Sequence, residues 1–470
     1  MSFDAFWLPA LPALPSSTRS SGEPGTKPDG LRSPDLDAVH LRTQIDALLA
    51  AAPALRRRSV GSIVAVIDRV ARRLVDPRDP LRVLADDLLP PVTGFSPAMT
   101  RLTLDRMATD WRADRLEQML ASDLGDAGCL DGFVRLPGRP GRVHAVGPRL
   151  AFHVFSGNVP GVAVMSLIRT LLLKTPSLGK TASGEPVLAP LFAKAIAEED
   201  DLLGSCLAVT HWKGGDKALE EVAFEKADVV IAYGSSSTIE SLRAHIPPTA
   251  RLIEHGSRVS FAMIAREALA DIPEARETAQ DAALAVATFD QQGCVSPHFI
   301  FCEEDAGVKP ADWITMLAEA MEAVESDLPR GTISAAESAA IQQARGVAEI
   351  GGLAGTGQRV LASPGSTRWT ILFEPTGTLR LSCLNRLVRV IPVTSIDEVP
   401  DRIAALTDLL QTVGTAGPAD RFEPVARELA RMGVSRVASL AEMAWPPAWW
   451  HHDGRSPLGE LVRWCDWEEG

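Results

Sequence analysis

The sequence predicts an α/β fold, a mostly parallel sheet covered by helices on both faces, in a chain long enough for two or three domains. Three observations carry that reading. From Ala151 onward, short apolar runs at 151–155, 177–182, 207–212 and 229–233 alternate with helical runs at 161–173, 186–198, 218–224 and 238–245. Strands separated by helices are joined by crossovers, and crossovers make parallel neighbours. A second α/β block starts near Phe261, and 470 residues with 46% apolar and 23% charged side chains suffice for a large core.

In chain order, residues 1–35 are rich in Pro, Ser and Gly without periodicity, which predicts a flexible tail. Its apolar cluster Phe6, Trp7 and Leu8 is the one part suited to docking. Residues 36–118 are helical: Leu41, Ile45, Leu48 and Leu49 share one face, as do Ile63, Val64, Ile67 and Val70. Residues 131–150 carry Pro137, Gly138, Pro140 and Gly141 and predict a hairpin-like arm. The four strand–helix pairs then complete an N-terminal unit, 36–260. A second unit, 261–415, is expected to hold a helix at 281–289, a strand at 299–302, helices at 313–324 and 335–348, strands at 369–373 and 388–393, and a helix at 399–412. The C-terminal segment, 416–470, should hold a helix at 418–432 and a final strand-like stretch. Five of the ten tryptophans, Trp445, Trp449, Trp450, Trp464 and Trp467, lie there, which reads as core or subunit packing.

The net charge of −13, from 47 basic and 60 acidic residues, argues against non-specific nucleic-acid binding. Six scattered cysteines without metal-type spacing fit a reduced, cytoplasmic protein. The longest apolar run, 159–173, is broken by Arg169 and too short to span a bilayer. The N-terminus lacks the basic start of a signal peptide.

The stretch around which these pieces gather is Thr288-Phe289-Asp290-Gln291-Gln292-Gly293-Cys294-Val295-Ser296-Pro297. Gly293 is expected to let the backbone turn sharply before the sulfur, placing the thiol at a helix end. A thiol there can attack a carbonyl, with its own backbone N–H near the developing oxyanion. On residue type alone, the favoured reading of Cys294 is a small buried hydrophobe, as most free cysteines are. His451, His452 and Asp453 are metal-ligand types, but adjacent histidines diverge, so no metal site is expected. His153 and His298, on apolar strands, read as satisfied core histidines.

The order of these pieces resembles the aldehyde dehydrogenase superfamily. Within it, the chain is similar to the acyl-CoA reductases typified by the fatty-acid reductase subunit of bacterial luminescence. The resemblance covers about residues 40–470 and rests on Ser156-Gly157-Asn158-Val159-Pro160, Asp290-Gln291-Gln292-Gly293-Cys294 and His451-His452-Asp453-Gly454. It implies a Rossmann-like cofactor domain, an α/β catalytic domain and a small oligomerisation arm, hence a homo-oligomer. It makes Cys294 the nucleophile and Asn158 an oxyanion donor, and it aligns Glu254 with the water-activating base of the hydrolytic members. Lys180 matches a lysine on the adenosine ribose of the cofactor. Ser183 stands where NAD-selective members carry an acid, which favours NADPH, with NADH as the alternative. Gly234 and Ser235 match the start of the phosphate-side motif, although Ile239 replaces its second glycine. Cys383 stands where hydrolytic members carry a ribose-binding glutamate.

The implied reaction is reduction of an acyl thioester to an aldehyde through an acyl-cysteine. The donor would be acyl-CoA or a carrier-bound acyl group, supplied in some pathways by an acyl-activating partner enzyme. The alternatives are NAD(P)+-dependent oxidation of an aldehyde to an acid, with Glu254 as base, and a non-catalytic partner protein with the same fold.

Overall fold

The computed structural model describes residues 2–18, 30–376 and 379–468. Two parallel sheets form its framework. The first contains β1 (Ala151–Val154), β2 (Ser177–Lys180), β3 (Leu207–Thr210), β4 (Val229–Tyr233) and β5 (Arg251–His255), in the order β3-β2-β1-β4-β5. All its pairings are parallel. Because both faces are covered, β1, β3 and β4 are buried at every position, and their sequences read as continuous apolar runs. The strand order reverses between β1 and β4, so the loops after these two strands diverge there. Such a crevice, at the carboxyl ends of the strands, is where open α/β sheets take ligands.

The second sheet contains β6 (Val259–Ile264), β7 (Pro297–Glu303), β8 (Arg359–Ala362), β9 (Thr370–Phe373), β10 (Leu387–Val393), β11 (Leu410–Ala416) and β12 (Arg436–Ser439). Its order is β8-β9-β10-β7-β6-β11-β12, with only β8 antiparallel to its neighbour. Only Gly256, Ser257 and Arg258 separate β5 from β6, so the chain passes from one sheet to the other beside the crevice.

Three helices position the site. α1 (Val162–Leu172) follows the loop after β1, α2 (Ser236–Arg243) follows β4, and α3 (Ile272–Ala287) leads to Cys294. α1 is buried on nearly every side, which explains why its sequence is apolar all round apart from Ser166, Arg169 and Thr170. Ser235 caps α2, its hydroxyl accepting from the Thr238 N–H at 3.3 Å.

Several expectations are corrected. The N-terminal stretch is built into the fold over its described residues. Strand Leu31–Pro34 pairs with both Phe3–Asp4 and Ser16–Thr18, and Trp7 bridges Val209 at the edge of the first sheet and donates from its indole to Gly204 at 2.9 Å. Residues 19–29 of the expected tail lie outside the described residues. The helix expected at 399–412 is helical only to Leu409; from Leu410 the chain is strand β11. Leu410, Gln411, Thr412 and Val413 are all buried, and a short run buried on both faces has no periodicity to separate it from a preceding helix. Strands β5, β6, β8 and β12 were not expected, and β12 makes the C-terminal segment part of the second sheet. The arm is a ribbon in which Arg142–Val146 pairs antiparallel with Arg463–Trp467.

Candidate active site

The turn carrying Cys294 is not made by Gly293. Beyond α3, Phe289, Asp290 and Gln291 adopt φ of 56°, 50° and 64°, whereas Gly293 is not among the positive-φ residues. A Cβ at Gly293 would stand 3.0 Å from the Phe289 ring and 3.2 Å from the Ser296 hydroxyl, so this glycine provides space rather than a turn. Each left-handed non-glycine residue costs on the order of 1–2 kcal/mol. A second left-handed triplet, Leu384, Asn385 and Arg386 (φ 65°, 57° and 65°), holds the first in place. The buried Arg386 guanidinium pairs with Asp290 at 2.7 Å and Glu325 at 2.8 Å. The Gln291 side chain donates to the Pro297 and Leu387 carbonyls at 2.7 and 2.8 Å and accepts the Leu387 N–H at 2.9 Å. Gln292 donates to Asn385 Oδ1 at 3.0 Å.

Cys294 is half-buried in the wall of a cavity of about 640 Å³. Asn158, Gly234 and Ser235 line the same cavity. The Asn158 amide donates to the Gln292 carbonyl at 2.9 Å, which brings the loop after β1 against the cysteine turn. Met107, Trp111, Val162, Met165, Phe289 and Trp445 supply apolar wall. The C-terminal tryptophans are therefore divided: Trp445 and Trp450 face the cavity, Trp449 and Trp464 pack on the core, and Trp467 is exposed.

The structure turns Glu254 away from this cavity. Successive residues of a strand face opposite sides. Glu254 forms an ion pair with Arg243 of α2, while His255 lines the cavity. His255 Nδ1 lies 2.7 Å from Asp453 Oδ2, so in the tautomer that donates to this carboxylate Nε2 is the basic nitrogen. Asp453 Oδ1 also accepts from Arg258 at 2.9 Å and from Gln411 at 2.7 Å. Although burial works against its charge, the hydrogen bond from His255 and the nearby His452 and Arg258 hold the Asp453 carboxyl well below the usual carboxylate range. His255 is stacked between Tyr233, with ring centres 4.6 Å apart, and His452, 4.3 Å apart. Ligand-type atoms of His255, His452 and Asp453 lie within 4.8 Å of one another. Face-to-face imidazoles do not aim their lone pairs at a common point, and both Asp453 oxygens are engaged, so the cluster is built as a hydrogen-bond network.

Burial pushes the Cys294 thiol up to about 12, and the charge of Asp453 adds to this. A hydrogen bond from Gln411, the cysteine's own backbone N–H and Arg258 act in the opposite direction. Asp453 thus reaches the thiol through Gln411 as well as orienting His255.

Lys180 and Ser183 lie outside the cavity wall. Lys180 ends β2 with its ammonium 5.7 Å from the Trp212 ring, and burial lowers its pKa. Ser183 is exposed in the next turn. That turn packs on the loop after β1, since a Cβ at Gly157 would meet the Gly184 Cα at 3.1 Å. Glu185, the acid nearest Ser183, accepts the Val187 and Leu188 N–H groups at 2.7 and 2.8 Å and so caps helix Leu188–Glu199. Lys174 pairs with Asp131 at 2.5 Å. Ile239 is a buried core residue of α2.

His153 is the satisfied core histidine expected, with Ser166 and Ser177 hydroxyls at 2.9 and 3.2 Å. His298 is not: it lines the cavity, its Nδ1 accepts the Ser382 N–H at 3.2 Å, and burial pushes its pKa down to about 4. Sequence reasoning missed His255, Gln411 and Arg258. The alternation of β5 was the available signal, since it forbids Glu254 and His255 from facing one site together.

Among solved structures, the fold is similar to aldehyde dehydrogenase 21 from Physcomitrella patens, with a TM-score of 0.73, 12% identity and coverage of 97% of this chain and 95% of that one. It is also similar to a NAD-dependent benzaldehyde dehydrogenase from Corynebacterium glutamicum, with a TM-score of 0.71, 14% identity and coverage of 98% of each. These likenesses establish an aldehyde dehydrogenase fold. In sequence, the chain is 27% identical over 379 residues to the long-chain acyl-protein thioester reductase of Aliivibrio fischeri, covering 80% of this chain and 75% of that protein. It is 24% identical over 379 residues to the protein of the same description from Vibrio harveyi, covering 80% and 76%. Residues 55–464 match the profile described as Acyl-CoA reductase (LuxC), and with the ordered motifs and the geometry around Cys294 they show that the chain belongs to that family.

Proposed function

We propose that this protein reduces an acyl thioester, carried on CoA or on a protein, to the aldehyde, with Cys294 as nucleophile. The observation that carries the reading is the convergence of Cys294, Asn158 and the Asp453-oriented His255 on one largely apolar cavity. His255 Nε2 takes the Cys294 proton as the sulfur attacks the thioester carbonyl. The Asn158 amide and the Cys294 backbone N–H donate to the oxyanion; one such donor is worth about 10²–10³ in rate. Collapse expels the donor thiolate, which takes the proton from His255, and leaves an acyl-cysteine. A nicotinamide dinucleotide, when bound, supplies the hydride that converts this thioester to a thiohemiacetal. His255, having taken up a proton from water, protonates the new alkoxide, removes that proton as the C–S bond breaks and the aldehyde leaves, and passes it to the freed Cys294 thiolate.

The chain fits such a dinucleotide. Gly234 and Ser235 stand at the strand reversal with the N-terminus of α2 beside them, and Lys180 ends β2, on the other side of β1, without an ion-pair partner among the described residues. We assign the first sheet to the cofactor and the second to catalysis. NADPH is favoured over NADH because Ser183 is uncharged and Glu185 is committed to a helix cap. The ion pair of Glu254 with Arg243 weighs against the acid-forming alternative. Six free thiols support a cytoplasmic setting, and the exposed ribbon is our candidate for homo-oligomer contacts.

The test is NADPH oxidation with aldehyde detection across short, long and aromatic acyl-CoAs. Turnover that is lost in Cys294→Ala supports the proposal. Thioester-independent aldehyde oxidation that requires Glu254 would replace it.

A further inference from the structure

The proposed mechanism leaves one buried charge on the cavity wall unused. Arg169, on the third turn of α1, is 8% exposed, and its Nε is buried without a hydrogen-bond partner. Its guanidinium has no ion pair among the described residues. The other deeply buried arginines all have partners: Arg82 with Asp86 and Asp105, Arg345 with Thr370 and the Trp369 carbonyl, Arg386 with Asp290 and Glu325, and Arg389 with Glu374. An unpaired buried guanidinium is costly, and arginine cannot relieve the cost by losing its proton.

The acids near Arg169 are already engaged. Asp123 accepts from the Ser456 hydroxyl at 2.6 Å and from the Leu458 and Gly459 N–H groups at 2.6 and 2.8 Å. Glu460 pairs with Arg455. The Tyr233 hydroxyl is bonded to Ser166. Arg169 lines the cavity wall together with Tyr233, His255 and His452, and the same four residues border a neighbouring pocket of about 20 Å³ that also holds the Arg455–Glu460 pair. Val162, Met165 and Arg169 share the cavity-facing side of α1. Arg169 lies roughly 10 Å along the helix axis from Val162, on the side away from Asn158.

We infer that Arg169 recognises an anion, and that the acyl group reduced at Cys294 carries a carboxylate at the end remote from the thioester. The substrate class would be half-thioesters of dicarboxylic acids. The inference rests on the proposed reductase reading, so the test has one readout of turnover and one of binding alone.

Wild type, Arg169→Met and Arg169→Lys would be assayed with glutaryl-CoA and pentanoyl-CoA, and titrated calorimetrically with free glutarate and with neutral glutaramide. The expected result is a wild-type preference for glutaryl-CoA that falls at least about tenfold in Arg169→Met, the scale of a lost charged hydrogen bond, and is partly kept in Arg169→Lys. Pentanoyl-CoA turnover and the KM for NADPH should be unchanged. Glutarate should bind wild type but not Arg169→Met, and glutaramide neither. Because the substitution removes an unpaired buried charge, Arg169→Met should also melt no lower than wild type. An unchanged substrate ratio with equal glutarate binding would overturn the inference, as would a raised KM for NADPH alone, which would assign the anion to the cofactor. If no thioester were reduced but glutarate binding still required Arg169, the anion site would stand and the reductase reading would fall.

Discussion

Asp110 stands on the cavity wall near Trp111, and burial pushes its carboxyl up to about 6, against the pull of Arg115 and Arg106. A folded-state pKa above the unfolded value means that stability is fully present at low pH and is lost as pH rises. The unfolded carboxyl ionises near 4, while the folded one resists until about 6. Asp110→Asn should therefore stabilise the protein by roughly 3 kcal/mol at about pH 8 and by almost nothing below about pH 4. Urea denaturation at the two pH values checks this. The neighbouring pair Glu254 and His255 gives a second prediction. His255→Asn should lower thioester turnover by about 10²–10⁴, the usual worth of a general base. Glu254→Gln should change turnover by no more than a few-fold, since it breaks only a partly exposed ion pair. Steady-state kinetics of both variants separates the two roles. The sequence offered Cys294 and Asn158 through local motifs, and both line the cavity; it offered Glu254, whereas the cavity wall holds His255, because side-chain direction depends on strand register, which resemblance alone does not convey.

The two facing left-handed triplets are the device that presents Cys294 to the cavity. Phe289, Asp290 and Gln291 keep their strained backbone because Arg386 and Gln291 bind across to the other turn. Arg386→Met would leave Asp290 and Glu325 buried without their shared cation. We expect a loss of about 3–5 kcal/mol of stability, seen as a lower denaturation midpoint. Nothing in composition or periodicity announces this device. Its residues lie about a hundred positions apart in sequence, and non-glycine side chains do not advertise positive φ. The regular elements were easier to read: strands β1 to β4 and the helices between them have the lengths and apolar runs of a covered parallel sheet. β11 was misread because a doubly buried strand following a short helix leaves no polar alternation to mark the boundary.

In the whole molecule, the reversal between β1 and β4 sets a loop carrying Asn158 and a loop carrying Gly234 and Ser235 on either side of one crevice. The short β5–β6 passage brings the second sheet, with Cys294 and Gln411, to face it. The C-terminal segment closes the cavity with Trp445, Trp450 and His452 and lends Asp453 to His255. That contribution comes from residues about two hundred positions from His255, which explains why His451-His452-Asp453-Gly454 was visible as a motif while its role was not. The central claim is that Cys294 forms a covalent acyl thioester before reduction. It is tested most directly by intact-protein and peptide mass spectrometry after exposure to an acyl-CoA without nicotinamide, followed by a chase with NADPH. The account predicts one acyl adduct on the peptide containing Cys294, absent in Cys294→Ala, which NADPH discharges as aldehyde. Aldehyde formation with no adduct on Cys294, or an adduct that NADPH leaves in place, would contradict it.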